Sequence, residues 1–402
     1  MKLPQAEWHE RPGLAALLTA LGAEQGDTRY VGGCVRDTLL RLPVNDVDLA
    51  TRLTPEEVIG RLRKAAIKAV PTGLAHGTVT AIAEGKPVEV TTLRRDVSTD
   101  GRHATVAYTD DWAEDAARRD FTINALSADP LSLQVHDYFG GWDDVERRHV
   151  RFIGDPLTRI AEDHLRILRF FRFYARFGEG SPDAEALDAC AARANDLMAL
   201  SRERIADELT KLLALPDPAP TLRLMVERGI LKPVLPEIDC EGAERLASLV
   251  RRENEAGVAG DPVRRLAALL PADPDAMDAL GKRLRLPNKV VKRLVSAAGR
   301  RAGDKEDAPV LAYRLGRDEA IDRLLLGNAD PSAAASLRGW ERPRLTVGGG
   351  KLIALGLPAG PIVAETLQEV QRLWAAAGFP ADEAEQMRLA EAAVDQALRA
   401  RQ

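Results

Sequence analysis

The chain has 402 residues, 45% of them hydrophobic and 29% charged, with a formal net charge of −5. That length exceeds one compact core and predicts two or three domains of ordinary globular character. The N-terminus MKLPQAEWHERPG has no apolar signal region and no run of 18 apolar residues occurs, so a soluble, cytoplasmic protein with no membrane contact is expected. Cys34, Cys190 and Cys240 are dispersed and form no CxxC pair, which argues against a disulfide framework or a structural zinc site.

Residues 1–27 carry a short helix on Leu14, Leu17, Leu18 and Leu21, closed by Gly22. From 28 to 150, β-branched runs (TRYVGG, GTVTAIAEG, PVEVTTL, SLQVHDYFGG) alternate with helical pieces (CVRDTLLRL, TPEEVIGRLRKAAIK). After Asp155 strand-like runs nearly vanish and apolar residues recur at helical spacing, first in a neck over 151–215 and then in a body and tail over 216–402. PDPAP, PADPD and LPAGP punctuate that remainder. The fold class is α+β: a mixed-sheet head followed by an all-helical neck, body and tail.

In VGGCVRDTLLRLPVNDVDLAT (31–51), Asp46 and Asp48 lie two apart in a strand-like run. On one strand both would face the same way, roughly 6–7 Å apart. Two carboxylates that close repel unless a divalent cation such as Mg²⁺ sits between them. A DxD pair also occurs at exposed edges and loops, so the pair alone does not decide. Gly32 and Gly33 precede it, opening a helix near Val35 and allowing a phosphate to approach the backbone. Phosphate and metal sites this close describe a nucleoside triphosphate with its Mg²⁺. No GxGxxG is present, and GGGK (348–351) is followed by Leu352, where a phosphate-binding lysine loop needs Ser or Thr. Glu89, in PVEVTTL, is the candidate third carboxylate or else a solvent-facing strand residue.

In the neck, Glu162, Arg166, Arg169 and Arg176 share a helical stripe with Phe170, Phe173 and Phe177, and Asp163 flanks it. Four of the chain's eight phenylalanines fall within 170–177. A helix apolar nearly all round is buried or packed under a ligand, so its embedded charges must satisfy one another or a polar guest. A guest is the reading favoured here. Between Asp278 and Asp304 stand eight basic residues and no acidic one, including Lys282, Arg283, Arg285, Lys289, Lys292 and Arg293; the run is either a solvated face or a polyanion contact.

GGCVRD with NDVDLAT, then ARRDFTINAL (117–126), RIAEDHLRILRFFRFYARFG (159–178) and SRERIADELTKLL (201–213), together resemble the tRNA nucleotidyltransferase / bacterial poly(A) polymerase family, class II of the polymerase-β superfamily. The likeness is close over residues 28–240 and general beyond. It implies metal-binding Asp46 and Asp48 activating an RNA 3′-hydroxyl for attack on the α-phosphate of a nucleotide, with Gly32, Gly33, Arg36 and Asp37 as the triphosphate wall. It also implies that Arg118, Arg119, Asp120 and Asn124 hold sugar and phosphates, although on residues alone they read as a salt-bridge cluster at a helix start. Glu162, Asp163, Arg166 and Arg169 would read the base, with Asp163 and Arg166 deciding between CTP or ATP and other nucleotides.

The interval 93–115 is long, as A-adding relatives require, and no extended basic tail of the poly(A) polymerase kind follows. No phosphohydrolase pattern shows among the six histidines. The resemblance therefore implies CCA addition to the tRNA 3′ end, with 282–293 as a candidate RNA contact. Poly(A) synthesis, partial CC or A addition, and a non-catalytic RNA-binding descendant are the alternatives; the last would have lost an aspartate of the pair.

Overall fold

The computed structural model describes residues 1–100, 103–300 and 307–400, so Gly101 and Arg102 of the long interval, and Arg301 of the basic run, lie outside the described residues. The chain forms two compact units, Met1–Pro236 and Glu237–Gln402.

The first unit opens with α1 (Leu14–Ala20), whose Leu14, Leu17 and Leu18 are buried. It packs against the head rather than standing apart, and Leu3 N–H donates to the Leu133 carbonyl at 2.7 Å. The head sheet is built from β1 (Thr28–Val31), β2 (Asp48–Thr51), β3 (Lys68–Gly73), β4 (Thr78–Ala83) and β5 (Lys86–Thr92). The short β8 (Ser127–Ala128) and β9 (Val135–His136) complete it after β6 (Arg94–Asp100) and β7 (His103–Tyr108), which pair as a separate hairpin. Its order is β3-β4-β5-β2-β1-β8-β9. β2 runs parallel to β5 with Asp48 opposite Glu89, and antiparallel to β1. Helices α2 (Gly33–Leu39), α3 (Pro55–Lys64), α4 (Trp112–Ala117) and α5 (Gly141–Glu146) complete the head.

The neck departs from the single helix expected. It is α6 (Pro156–Glu162) and α7 (Arg166–Phe177), broken at Asp163 with φ −152° and ψ 107°. Asp163 makes the break: its Oδ1 accepts the Leu165 N–H and its carbonyl accepts the Arg166 N–H, both within 3.1 Å. α7 buries Phe170, Phe171, Phe173 and Phe177. Phe121 of the ARRDFTINAL motif packs on Phe173 (centroids 5.1 Å) and Phe152 on Phe170 (5.8 Å), so the clustered aromatics dock the neck onto the head. α8 (Ala184–Ala192), α9 (Arg202–Leu213) and α10 (Ala219–Glu227) follow, and because α10 packs on α7 this unit runs to Pro236, beyond the boundary expected at 215.

The second unit is helical: α11 (Cys240–Ala256), α12 (Pro262–Leu269), α13 (Pro274–Arg283), α14 (Asn288–Ala298), α15 (Ala308–Leu315), α16 (Arg317–Leu326), α17 (Pro331–Ala335), α18 (Gly349–Ala354), α19 (Pro361–Ala376) and α20 (Glu383–Arg399). One apolar cluster gathers α11 and α15–α17, another α18–α20. Buried charges tie α11, α12, α14 and α16 together. Arg264 pairs with Glu253 (2.6 Å) and Asp322 (2.9 Å), Arg265 with Glu253 (2.9 Å), and Arg293 with Asp322 (2.6 Å) and Asp261 (3.0 Å). Three arginines thus face three carboxylates. Arg293 is consumed here and is withdrawn from the expected RNA contact.

Removing one partner from such a network leaves buried charge uncompensated. Glu253→Ala is expected to lower unfolding stability by about 3–5 kcal/mol. A urea titration followed by circular dichroism measures it, and a loss below about 1 kcal/mol would contradict the role assigned to this network.

Candidate active site

Ten of the residues singled out from sequence meet around one cleft of about 480 Å³: Gly32, Gly33, Arg36, Asp48, Arg119, Asp120, Asn124, Asp163, Arg166 and Arg169, joined by Phe173. A larger hollow of about 740 Å³ beside Trp8 and Asn45 is bordered by Arg41 and Lys86, both exposed, and gathers no comparable set of buried polar groups.

At one end, Gly32 has φ +67°, and a Cβ there would stand 2.9 Å from Arg119 Nη1. Only glycine permits both that backbone and that approach. Asp48 begins β2, whereas Asp46 lies just before the strand and is exposed, so the pair is not carried on one strand as expected. Asp48 is nevertheless flanked by charge. Burial first, then Glu89 and Asp46, push its carboxyl up to about 6, against the opposing pull of Arg119. Paired residues on adjacent strands stand about 5 Å apart, which places Glu89 next to Asp48 while leaving it exposed.

At the other end stands an arginine set. Arg169 pairs with Asp120 at 2.6 Å. Arg166 pairs with Glu162 and donates to the carbonyls of Arg159 (2.8 Å) and Arg118 (3.2 Å). Asp163 receives Arg204 at 2.8 Å. The charges of the neck therefore have protein partners, and Asp163, Arg166 and Arg169 also line the cleft.

Between the ends, Arg36 is buried, pairs with Asp37 at 2.6 Å, donates to Asn124 Oδ1 and lies 4.1 Å over the Phe177 ring. Asp37 meets Arg176 at 3.6 Å and does not line the cleft; it holds Arg36 rather than forming the wall. Arg118 and Arg119 both pair with the buried Asp115, at 2.8 and 3.3 Å, so the salt-bridge cluster exists and one of its members, Arg119, also reaches the cleft. Burial would raise the Asp115 carboxyl, but the two arginines hold it below the usual range.

Sequence reasoning missed Arg204 and Glu208 on α9, which anchor Asp163 and Arg172, the latter at 2.6 Å. Their signal was present in SRERIADELTKLL: an arginine and a glutamate four apart.

The family model "Poly A polymerase head domain" matches residues 28–151, and "Probable RNA and SrmB- binding site of polymerase A" matches 181–241. The zebrafish (Danio rerio) protein "CCA tRNA nucleotidyltransferase 1, mitochondrial" is 34% identical, covering 90% of this chain and 86% of that protein. The chain belongs to the CCA tRNA nucleotidyltransferase family. The human member is 32% identical over 94% of this chain and 90% of its own. The solved CCA-adding enzyme of Bacillus stearothermophilus, in complex with CTP, superposes with a TM-score of 0.68 at 27% identity, covering 95% of this chain and 98% of that one.

Because the Asp48 carboxyl is raised on folding from 3.8 to about 6, its contribution to stability is full below 3.8 and lost as pH rises through 6. At pH 7 the ionised group opposes folding. Asp48→Asn in a chelator is therefore expected to stabilise the protein at pH 7, by on the order of 2 kcal/mol, with the gain vanishing toward pH 4. Thermal midpoints across that range measure it; a variant less stable than the parent at pH 7 would contradict the electrostatics described.

Proposed function

We propose that the chain adds CCA to the 3′ end of tRNA, using CTP and ATP as donors, by metal-assisted nucleotidyl transfer. The observation that carries this is the juxtaposition in one cleft of the carboxylate of Asp48 with Asp163 and Arg166, which could read a base edge. Family membership sets the reaction class, and the similar Bacillus stearothermophilus enzyme was solved with CTP.

The donor set fits Mg²⁺. Carboxylate oxygens are its usual protein ligands, one or two at a time with substrate phosphates supplying others. Among the described residues no group of three or more His, Cys, Asp or Glu side chains is placed to hold a metal ion, so the protein alone would supply at most two carboxylates. Asp46 and Asp48 would hold the ion, with Glu89 beside them. When bound, Mg²⁺ supplies charge neutralisation and alignment for attack of a 3′-hydroxyl on the α-phosphate. Gly32 and Gly33 leave room for the triphosphate, and Arg36 and Arg119 present positive charge to it. Asn124 and Asp120, which line the same cleft, would face the sugar.

Asp163 keeps acceptor capacity beyond its bond to Arg204, and Arg166 keeps N–H groups beyond its carbonyl contacts. An acceptor beside a donor suits cytosine and adenine, which present an amino group next to a ring acceptor. Uracil and guanine present a carbonyl there and would face Asp163 unfavourably. Lys289 and Lys292 are exposed on α14 and form no ion pair among the described residues, so they suit an RNA backbone. Lys282, Arg283 and Arg285 are also exposed, but Lys282 pairs with Asp278 at 2.6 Å and Arg283 with Glu237 at 2.7 Å.

With Mg²⁺, CTP, ATP and a tRNA trimmed of its last three nucleotides, growth by three residues and then arrest is expected. Two additions would make the chain a CC-adder, and a long ladder a poly(A) polymerase. Asp163→Ala should narrow the preference for CTP over UTP by about 10–100-fold, the worth of one good base-edge contact of about 1–3 kcal/mol. Unchanged selectivity in single-nucleotide incorporation would remove Asp163 from base choice.

A further inference from the structure

We propose that Arg245, Arg252 and Arg300 form a binding site for a phosphate group in the Glu237–Gln402 unit. Arg245, Ser248 and Arg252 recur at helical spacing along one face of α11, and with Arg300 and Asn328 they line a cavity of about 200 Å³.

Each guanidinium is pinned by backbone at the end of a helix. Arg245 donates to the carbonyls of Ala268 (3.0 Å) and Leu269 (3.3 Å) at the end of α12. Arg252 donates to Leu324 (3.2 Å) near the end of α16, to the Ala329 carbonyl beyond it, and to Asn328 Oδ1 (3.3 Å). Arg300 donates to Ala297 (3.1 Å) at the end of α14. Capping alone would be the plainer role, and charge decides against it. Three helix C-termini supply roughly half a negative charge each, leaving roughly +1.5 from three guanidiniums unmatched.

Carboxylates offset that deficit only from a distance. The exposed Glu241 reaches Arg245 at 3.7 Å, and among the described residues Arg252 and Arg300 make no ion pair. Glu255 and Asp330 act on Arg252 only through space. The same unit pairs Arg264, Arg265 and Arg293 with three carboxylates where a structural role is all that is required. Here Arg252 Nε is buried without a hydrogen-bond partner. Burial, and then Arg245, lower the pKa of Arg300, so the cations oppose one another. Guanidinium groups held in place with no carboxylate in close contact match the oxygens of a phosphate.

The phosphate can belong to the RNA backbone or to a free anion such as pyrophosphate. The RNA source rests on the function proposed above; the site itself does not. Arg300 makes one carbonyl contact, so Arg300→Gln disturbs folding least, and Arg300→Lys retains the charge. On the full chain in chelator, without turnover, two readouts are compared: thermal stabilisation by phosphate and pyrophosphate against chloride at equal ionic strength, and tRNA affinity across a salt series. We expect Arg300→Gln to lose the anion-induced shift, to bind tRNA about 3–10-fold more weakly and to reduce the salt slope by about 1, with Arg300→Lys near the parent. A lost anion shift with unchanged tRNA binding assigns the site to a free anion; a reduced tRNA slope alone assigns it to RNA. Parent and Arg300→Gln behaving alike in both readouts would overturn the proposal and leave the arginines as helix caps. An anion response with no tRNA binding would instead overturn the proposed function.

Discussion

The ion pair between Asp120 and Arg169 is the contact on which the site depends. Burial alone would push the Asp120 carboxyl up, yet Arg169, Asn124 and the Phe121 N–H hold it below the usual range. It is therefore ionised and committed, with Arg169 at 2.6 and 2.7 Å and the other two donors at 2.9 Å. Asn124 passes the chain of contacts to Arg36, which opens onto the glycine pair. The helix carrying the base-facing arginines and the loop facing the phosphates are in this way joined through one buried carboxylate. The phenylalanines beneath supply the apolar attachment, and the ion pair, seconded by Arg166 on the Arg118 carbonyl (3.2 Å) and Arg176 on Asp37 (3.6 Å), sets how the polar groups face each other across the cleft.

The two ends of the cleft handle charge in opposite ways. Around Asp48, burial and then the neighbouring carboxylates of Glu89 and Asp46 raise its carboxyl to about 6, with only Arg119 opposing them. Around Asp163 and Arg166 every charge has a protein partner, supplied partly by α9. On the function proposed above, this arrangement would keep the base-reading groups in place between turnovers and leave electrostatic demand where a divalent ion would bind. The buried network of the second unit, balanced three against three, shows what the same residue types do when no ligand is involved.

Much of this was legible from sequence because the decisive residues come in short runs. The glycine pair, the aspartates and ARRDFTINAL each state their own local geometry, and the strand and helix alternation of the head follows from periodicity. What was not legible is pairing across long separations. Nothing local says that Arg204 will hold Asp163, that Asp37 will turn away to anchor Arg36, or that Arg293 will be spent on Asp322. The break at Asp163 was hidden for a different reason: the apolar spacing runs through it unchanged, and the interruption comes from one side chain capping its own backbone. Asp46 was misplaced by the same kind of error, since alternation continues by one turn of the pattern past the point where pairing begins.

A double-mutant cycle on Asp120→Asn and Arg169→Gln, read as kcat/KM for CTP incorporation into trimmed tRNA, tests the central claim most directly. If the pair unites the two halves of the site, the double variant should be little worse than either single one, with a coupling energy of about 2 kcal/mol or more. Losses that simply add would mean that the two residues act independently and that some other contact holds the cleft together.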